Sequence, residues 1–372
     1  MLNASFPFYL IGLGGSELLV GLTAGGFALT SFVMRPIAGW FLDNRSRSGL
    51  MIIGTISLFV ASLLLLLVPV LAFAVVLRII SGSLFSGSTT ASTTNACDAI
   101  PQSRFGEGIG FLGLGNTLAT AIGPALGLAI IAALGFGHLF GACLAVVIIA
   151  ALAARGFSFK KVERTGHAFA RGKGFFSSLI NVDALPAAAV MVFSALPYGG
   201  VSVFIALYGE HSGLGSGGLF FALLAVGTGS TRLFSGRIAD KRGERPMVTA
   251  GNCSLLLALL FLLLDHSVCY YLSGLFFGIG YGVSIPALQS MAMRVAPMEK
   301  RGSATSTFHC AYDVSGGLGG PLAGVLVTFF GYRTMFAAMC LCILISFLVY
   351  ALWASKSPSA FRVYHGQLTI DN

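Results

Sequence analysis

Long apolar runs, interrupted by short polar gaps, fill the chain from one end to the other. A helix needs about 20 apolar residues to cross a bilayer. Windows of that size fall at 17–42, 49–69, 71–96, 106–132, 135–154, 184–208, 213–239, 247–265, 268–293, 303–329 and 331–354. Backbone N–H and C=O groups in hydrocarbon must be paired inside the segment, so each window predicts an α-helix. Asp43, Asp240 and Pro246 stand where runs stop, as turn and breaker residues do. The long polar interval 155–183 separates a first transmembrane half, 1–154, from a second, 184–354, and the tail 355–372 follows.

Composition makes lipid the expected solvent. Hydrophobic residues form 56% of the 372 positions and charged ones 9%, whereas a soluble chain carries roughly a quarter charged residues to coat its surface. The net charge of +9 could suggest a nucleic-acid partner, but the placement of the basic residues argues against it. Counted by alternate gaps, 17 Lys and Arg residues fall on one side, from Arg45 and Arg47 through the linker to Lys356 and Arg362, and Arg333 alone falls on the other. The positive-inside rule makes the first set cytoplasmic, with the linker and tail. The expected location is the plasma (inner) membrane of a prokaryote. The basic linker reads as an orientation signal, with a lipid-headgroup role as the other reading. Seven scattered cysteines show no CxxC pair or metal-ligand spacing, and they read as small hydrophobes in a bundle.

A repeat runs through this pattern. Arg35 and Arg232, Gly39 and Gly236, and Asp43 and Asp240 are each 197 residues apart. The same interval aligns Gly123, Pro124 and Gly127 with Gly320, Pro321 and Gly324, Asn116 with Asp313, and Arg104 with Arg301. Two parallel copies of one bundle are a known transporter construction, with the substrate site at mid-membrane between them. Shifting 184–208 back by 197 runs past residue 1, so "MLNASFPFYLIG" is expected to be the last turns of a first helix that begins upstream. A naturally shortened chain is the other reading.

Charges inside a bilayer are costly and mark candidate sites. Arg35, Arg78, Arg232 and Asp313 lie within spans. Arg35 and Arg232 stand about two turns from the cytoplasmic face, where snorkelling or a gate network would satisfy them. Asp313 stands roughly 15 Å into its span at 1.5 Å per residue. Low dielectric there disfavours the carboxylate, so Asp313 is a candidate to load and release a proton; pairing with a cationic substrate and permanent hydrogen bonding stay open. Asn116, Tyr198, Tyr281, Gln289, His309 and Tyr312, with Ser and Thr from "SGSLFSGSTTAST", are cavity candidates, although such groups also serve as interhelical hydrogen bonds. "GIGFLG" at 108–113 fits G-x-G-x-x-G but lies in a membrane span, without the preceding strand a nucleotide site requires. No P-loop, H-E-x-x-H or G-x-S-x-G is present, so no catalysis, cofactor or metal is expected.

With these residues in view the chain resembles the major facilitator superfamily over essentially its whole length. The family's loop signature G-x-L-x-D-[RK]-x-G-[RK]-[RK] is met by Gly236, Ile238, Asp240, Lys241, Gly243 and Arg245. The first copy is looser: Gly39, Asp43 and Arg47 hold, while Phe41, Asn44 and Ser46 depart. Arg78 with Gly82 is similar to the family's Arg-x-x-x-Gly element, and Gly115, Gly123, Pro124 and Gly127 to the G-P-x-x-G element linked with export by antiport. The resemblance implies an all-α fold of two six-helix halves, the first helix truncated. It implies that Asp43 reaches toward the span near 303 and Asp240 toward that near 106, latching the cytoplasmic side, and that Arg78 serves proton coupling or substrate binding. The expected activity is proton-coupled export of a small organic compound by a monomer. Uptake of a sugar or organic acid, and a non-transporting polytopic protein, are the alternatives.

Overall fold

The computed structural model describes residues 2–15, 17–44, 47–155, 180–297 and 300–354. Most of the basic linker, the tail and Arg45 therefore lie outside the described residues. The helices are α1 (Leu2–Gly12), α2 (Glu17–Asn44), α3 (Arg47–Leu67), α4 (Leu71–Ala99), α5 (Phe105–Leu134), α6 (Phe136–Arg155), α7 (Leu185–His211), α8 (Gly217–Arg242), α9 (Glu244–Leu262), α10 (Ser267–Val295) and α11 (Arg301–Leu352). Every expected span is occupied, with ends agreeing within four residues. Among the described residues there is no β-strand.

Joints between helices are set by residues that can leave helical geometry. Gly135 (φ 84°) turns α5 into α6. Gly331 (φ 82°, ψ 173°) breaks α11, which is thus two consecutive helices and matches the separate windows 303–329 and 331–354. Both glycines occupy the left-handed region that a Cβ disfavours.

The described chain gathers into two compact units. The first holds Met1–Ala99, Gly115–Asn181 and Ala296–Val314; the second holds Ile100–Leu114, Val182–Val295 and Ser315–Asn372. Each unit thus includes one helix start from the other half of the sequence: α11 in the first, α5 in the second. In the first unit, Phe6, Tyr9 and Leu10 of α1 pack with Leu65, Ala74 and Phe140, and the Tyr9 hydroxyl donates to the Leu65 carbonyl at 3.1 Å. A second cluster joins Ala38 and Leu42 to Leu50 and Ala91.

The second unit carries a buried polar knot. The Ser194 hydroxyl of α7 donates to Asn252 Oδ1 of α9 (3.0 Å), and so does Ser284 of α10 (3.1 Å). Asn252 Nδ2 donates to Ser346 Oγ of α11 (2.9 Å). A satisfied network of this kind fixes which helices are neighbours where apolar packing alone discriminates poorly. Outward, large side chains such as Phe329 and Phe330 are exposed, as on a surface that meets lipid tails.

Candidate functional site

Arg35, Gly39 and Asp43 recur every four residues on α2 and so share one face. That face lies against the start of α11 in the first unit. Asp43 Oδ1 accepts from the Gly302 amide at 2.7 Å and Oδ2 from the Ser303 amide at 2.8 Å. The first amides of a helix have no intrahelical acceptor, and a negative charge is favoured at the positive end of the helix dipole. One turn back, a Cβ on Gly39 would stand 2.8 Å from the Gly302 carbonyl oxygen and 3.1 Å from Ser303 Cα. Glycine is what allows α2 and α11 to come this close.

Two turns back from Asp43, Arg35 meets Asp313. Its Nε bonds Oδ2 and its Nη2 donates to Oδ1 at 3.0 Å, with the two side chains 7% and 19% exposed. Arg35 Nη1 donates to His309 Nδ1 at 3.0 Å and approaches the Thr89 and Thr90 hydroxyls of α4 at 3.4 and 3.5 Å. Arginine cannot accept, so His309 presents the lone pair of Nδ1 here. At the helix start, Arg301 bonds Asp98 Oδ1 (3.1 Å) and the Cys97 carbonyl (2.9 Å), which ties in the end of α4.

The second unit builds a matching seam from α8 and the start of α5. Asp240 Oδ1 accepts from the Gly106 amide at 2.7 Å and Oδ2 from the Glu107 amide at 2.8 Å. Gly236 lies against Gly106, where a Cβ would stand 2.8 Å from the Gly236 carbonyl oxygen. Arg232 donates to the Gly113 carbonyl. Arg294 of α10 pairs with Asp240 and, at 2.9 Å, with Glu244, and lies 5.6 Å over the Phe105 ring. The Ser290 hydroxyl donates to Glu244 (3.0 Å), and Arg237 pairs with Glu107 at 2.7 Å.

The capped amides Gly106 and Gly302 are 196 residues apart, one fewer than the carboxylates. By cap position Arg301 stands level with Phe105, whereas the 197 interval of the carboxylates aligns it with Arg104. In the cap register His309 matches Gly113 and Asp313 matches Thr117.

Other candidates lie apart from the seams. Arg78 of α4 sits over the Phe27 ring (4.2 Å) and the Phe6 ring (5.1 Å). Tyr198 of α7 stacks on Tyr281 of α10 at 4.6 Å, and Gln289 is half-buried farther along α10. Asn116 is exposed on α5, and Tyr312 is 41% exposed. Gly123 and Gly127 are buried in α5, while the Pro124 side chain lies outside the described set. In α11, Gly320 is close to Val203 and Gly199, Gly324 faces Phe204, and Pro321 is exposed. Gly243 (φ 81°) makes the α8–α9 joint; Lys241 and Arg245 are exposed. Arg47 opens α3, its side chain outside the described set.

Arg294 and Glu244 were not singled out from sequence. Glu244 stands where the loop signature asks for a basic residue, and that departure was the available signal. Buried at 4% exposure, it is matched by Arg294 from α10, the next helix along the chain.

The model of the Major Facilitator Superfamily matches residues 1–320 and, in a second match, 188–364. The Staphylopine export protein of Staphylococcus aureus is 23% identical over 90% of this chain and 87% of its own. The Multi-drug resistance efflux pump PmrA of Streptococcus pneumoniae is 27% identical over 91% and 88%. Among solved structures, a bacterial homologue of the iron transporter ferroportin, in an outward-facing state, has a TM-score of 0.76 at 16% identity, covering 95% of both chains. The human organic anion transporter MFSD10 has a TM-score of 0.73 at 17% identity, over 92% and 87%. These structural likenesses concern the fold. Family match, helical architecture and apolar spans agree: the chain belongs to the Major Facilitator Superfamily and is a membrane transporter.

Proposed function

We propose that this transporter exports a small organic compound across the plasma (inner) membrane of a prokaryote in exchange for protons, by alternating access. Export is supported by the names of two relatives, an export protein and an efflux pump. The observation that carries the mechanism is the doubled cap: Asp43 on the Gly302 and Ser303 amides, and Asp240 on the Gly106 and Glu107 amides. Each cap joins a helix of one half, 1–154 or 184–354, to a helix start of the other. Charge-assisted bonds of this type contribute about 1.5–3 kcal/mol each. Together they are strong enough to hold the cytoplasmic side closed and weak enough to exchange for water on opening. Arg294, Arg301 and Arg237 balance the acids at these ends. Asp313 and Arg78 are the proton-coupling or substrate-binding residues, and Asn116, Tyr198, Tyr281, Gln289 and His309 are candidates for substrate contact.

Everted membrane vesicles containing the full chain test this reading with a panel of fluorescent organic cations and anions. At least one dye is expected to accumulate when the lumen is acidified, and to leave when an ionophore collapses the gradient. Accumulation that ignores the gradient overturns proton coupling, and no accumulation of any dye overturns export.

A further inference from the structure

We infer that α11 carries a hinge at Ser315–Gly317, which lets its far stretch swing while its start stays latched. The use of this hinge in transport rests on the alternating-access reading above. Ala296–Val314 belongs to the first unit and Ser315 onward to the second, so the boundary falls inside one helix. The near stretch is fastened along its length. Asp43 takes the Gly302 and Ser303 amides, Arg301 bonds Asp98, the Asn181 amide donates to Thr307 Oγ1 at 2.9 Å, and Asp313 holds Arg35. The far stretch is fastened to α7. The Ser315 hydroxyl donates to the Val192 carbonyl at 3.2 Å, and a Cβ on Gly319 would stand 2.5 Å from the Leu196 carbonyl oxygen. Asp313 and Ser315 lie about 200° apart around the helix, and they grip different neighbours.

The backbone is weak at this place for two separate reasons. Gly316 and Gly317 keep helical torsions, and a Cβ on either would meet nothing within 4 Å. Neither close packing nor a left-handed turn accounts for them, in contrast to Gly319 and Gly331. Glycine inside a helix gives up stability for backbone freedom, and Gly/Ser pairs are recurrent sites of helix bends. Pro321 weakens the same turn. Proline has no N–H to give to the carbonyl four residues before it, and its ring crowds that carbonyl. Here the carbonyl is that of Gly317. The helix thus lacks one rung and two side chains within the turn where its anchors change.

While the Asp43 cap holds, the start of α11 stays with α2 and the rest follows α7. Parting the two halves at the membrane face away from the caps therefore requires α11 to bend, and its anchors confine the bend to one turn. A stiff, straight α11 would carry the same motion back to the Asp43 cap and break it. The hinge lets one face open while the other stays latched, as alternating access demands.

Hydrogen–deuterium exchange of the full chain in lipid nanodiscs, corrected for intrinsic rates, reads the hinge without any substrate. In the wild type, segment 314–320 is expected to exchange about tenfold faster than segment 303–309 of the same helix. Two variants stiffen the turn by different means. Gly316→Ala with Gly317→Ala places methyl groups in open space, and Pro321→Ala restores the missing N–H without adding bulk. Each should bring 314–320 to the rate of 303–309, raise the thermal midpoint, and slow gradient-driven dye accumulation in everted vesicles by about tenfold. Gly141→Ala in α6, also into open space, keeps wild-type transport. Equal protection of the two segments in the wild type, wild-type transport in either stiffened variant, or an equal slowing in Gly141→Ala overturns the hinge. Exchange as expected in a chain that moves no dye would sink the export reading and leave the hinge standing. Gradient-driven accumulation with uniform protection along α11 would do the reverse.

Discussion

Each latch carboxylate accepts two backbone N–H bonds with its two oxygens, and an amide side chain has only one acceptor oxygen. Asp43→Asn or Asp240→Asn therefore loses one bond and the charge that favours the helix start. At about 1.5–3 kcal/mol per bond, each single variant should slow dye accumulation in everted vesicles by about tenfold or more. Wild-type rates in both variants would remove the latches from the mechanism. A different carboxylate, Asp265 in the α9–α10 connection, accepts from the Tyr208 hydroxyl and from Arg333 Nε at 2.8 Å. The Tyr208 hydrogen bond first, then Arg333, holds its carboxyl below the usual carboxylate range. A depressed folded value means that this contribution is complete above the unfolded value and is lost as pH falls through the folded one. The thermal midpoint of wild type should therefore fall on acidification more than that of Asp265→Asn; parallel curves would refute the assignment. Asp265 was invisible to the reading of the sequence, because its partners come from α7 and from beyond the break in α11.

At the scale of elements, the seams depend on small residues as much as on charge. Gly39→Val places atoms where the Gly302 carbonyl and Ser303 already stand, and should force α2 from α11. The expected outcome is a chain that still inserts and runs as a single species on size exclusion, yet has lost most dye transport. Retained transport would show that the close approach is dispensable. Helix existence and span limits were legible in the sequence, because apolar run length against bilayer thickness decides them. The pairing of Arg35 with Asp313 was not. The two residues are 278 apart, and nothing local distinguishes an arginine that snorkels from one that meets a carboxylate on another helix. The repeat interval of 197 located both latch carboxylates, but the capped amides keep an interval of 196, a shift that only the contact reveals.

For the whole molecule, the distribution of basic residues predicts orientation. A cysteine placed at Arg333 should react with an impermeant maleimide added outside intact cells, and one placed at Lys241 should react only after permeabilisation. Labelling of both from one side would reverse the argument from charge. Composition, the 17-to-1 division of Lys and Arg, and the duplicated Gly and Asp positions determined that this chain is a two-part helical membrane protein of its family. They sufficed because hydrocarbon imposes helices, membrane potential and lipid charge sort basic loops, and duplication leaves a constant interval. Only the tertiary structure decided which side chains share the two seams, that Glu244 is answered by Arg294, and that one seam holds Asp313 where the other offers a backbone carbonyl. Contacts between residues on different helices depend on which helix faces meet, and no period along a single chain encodes that.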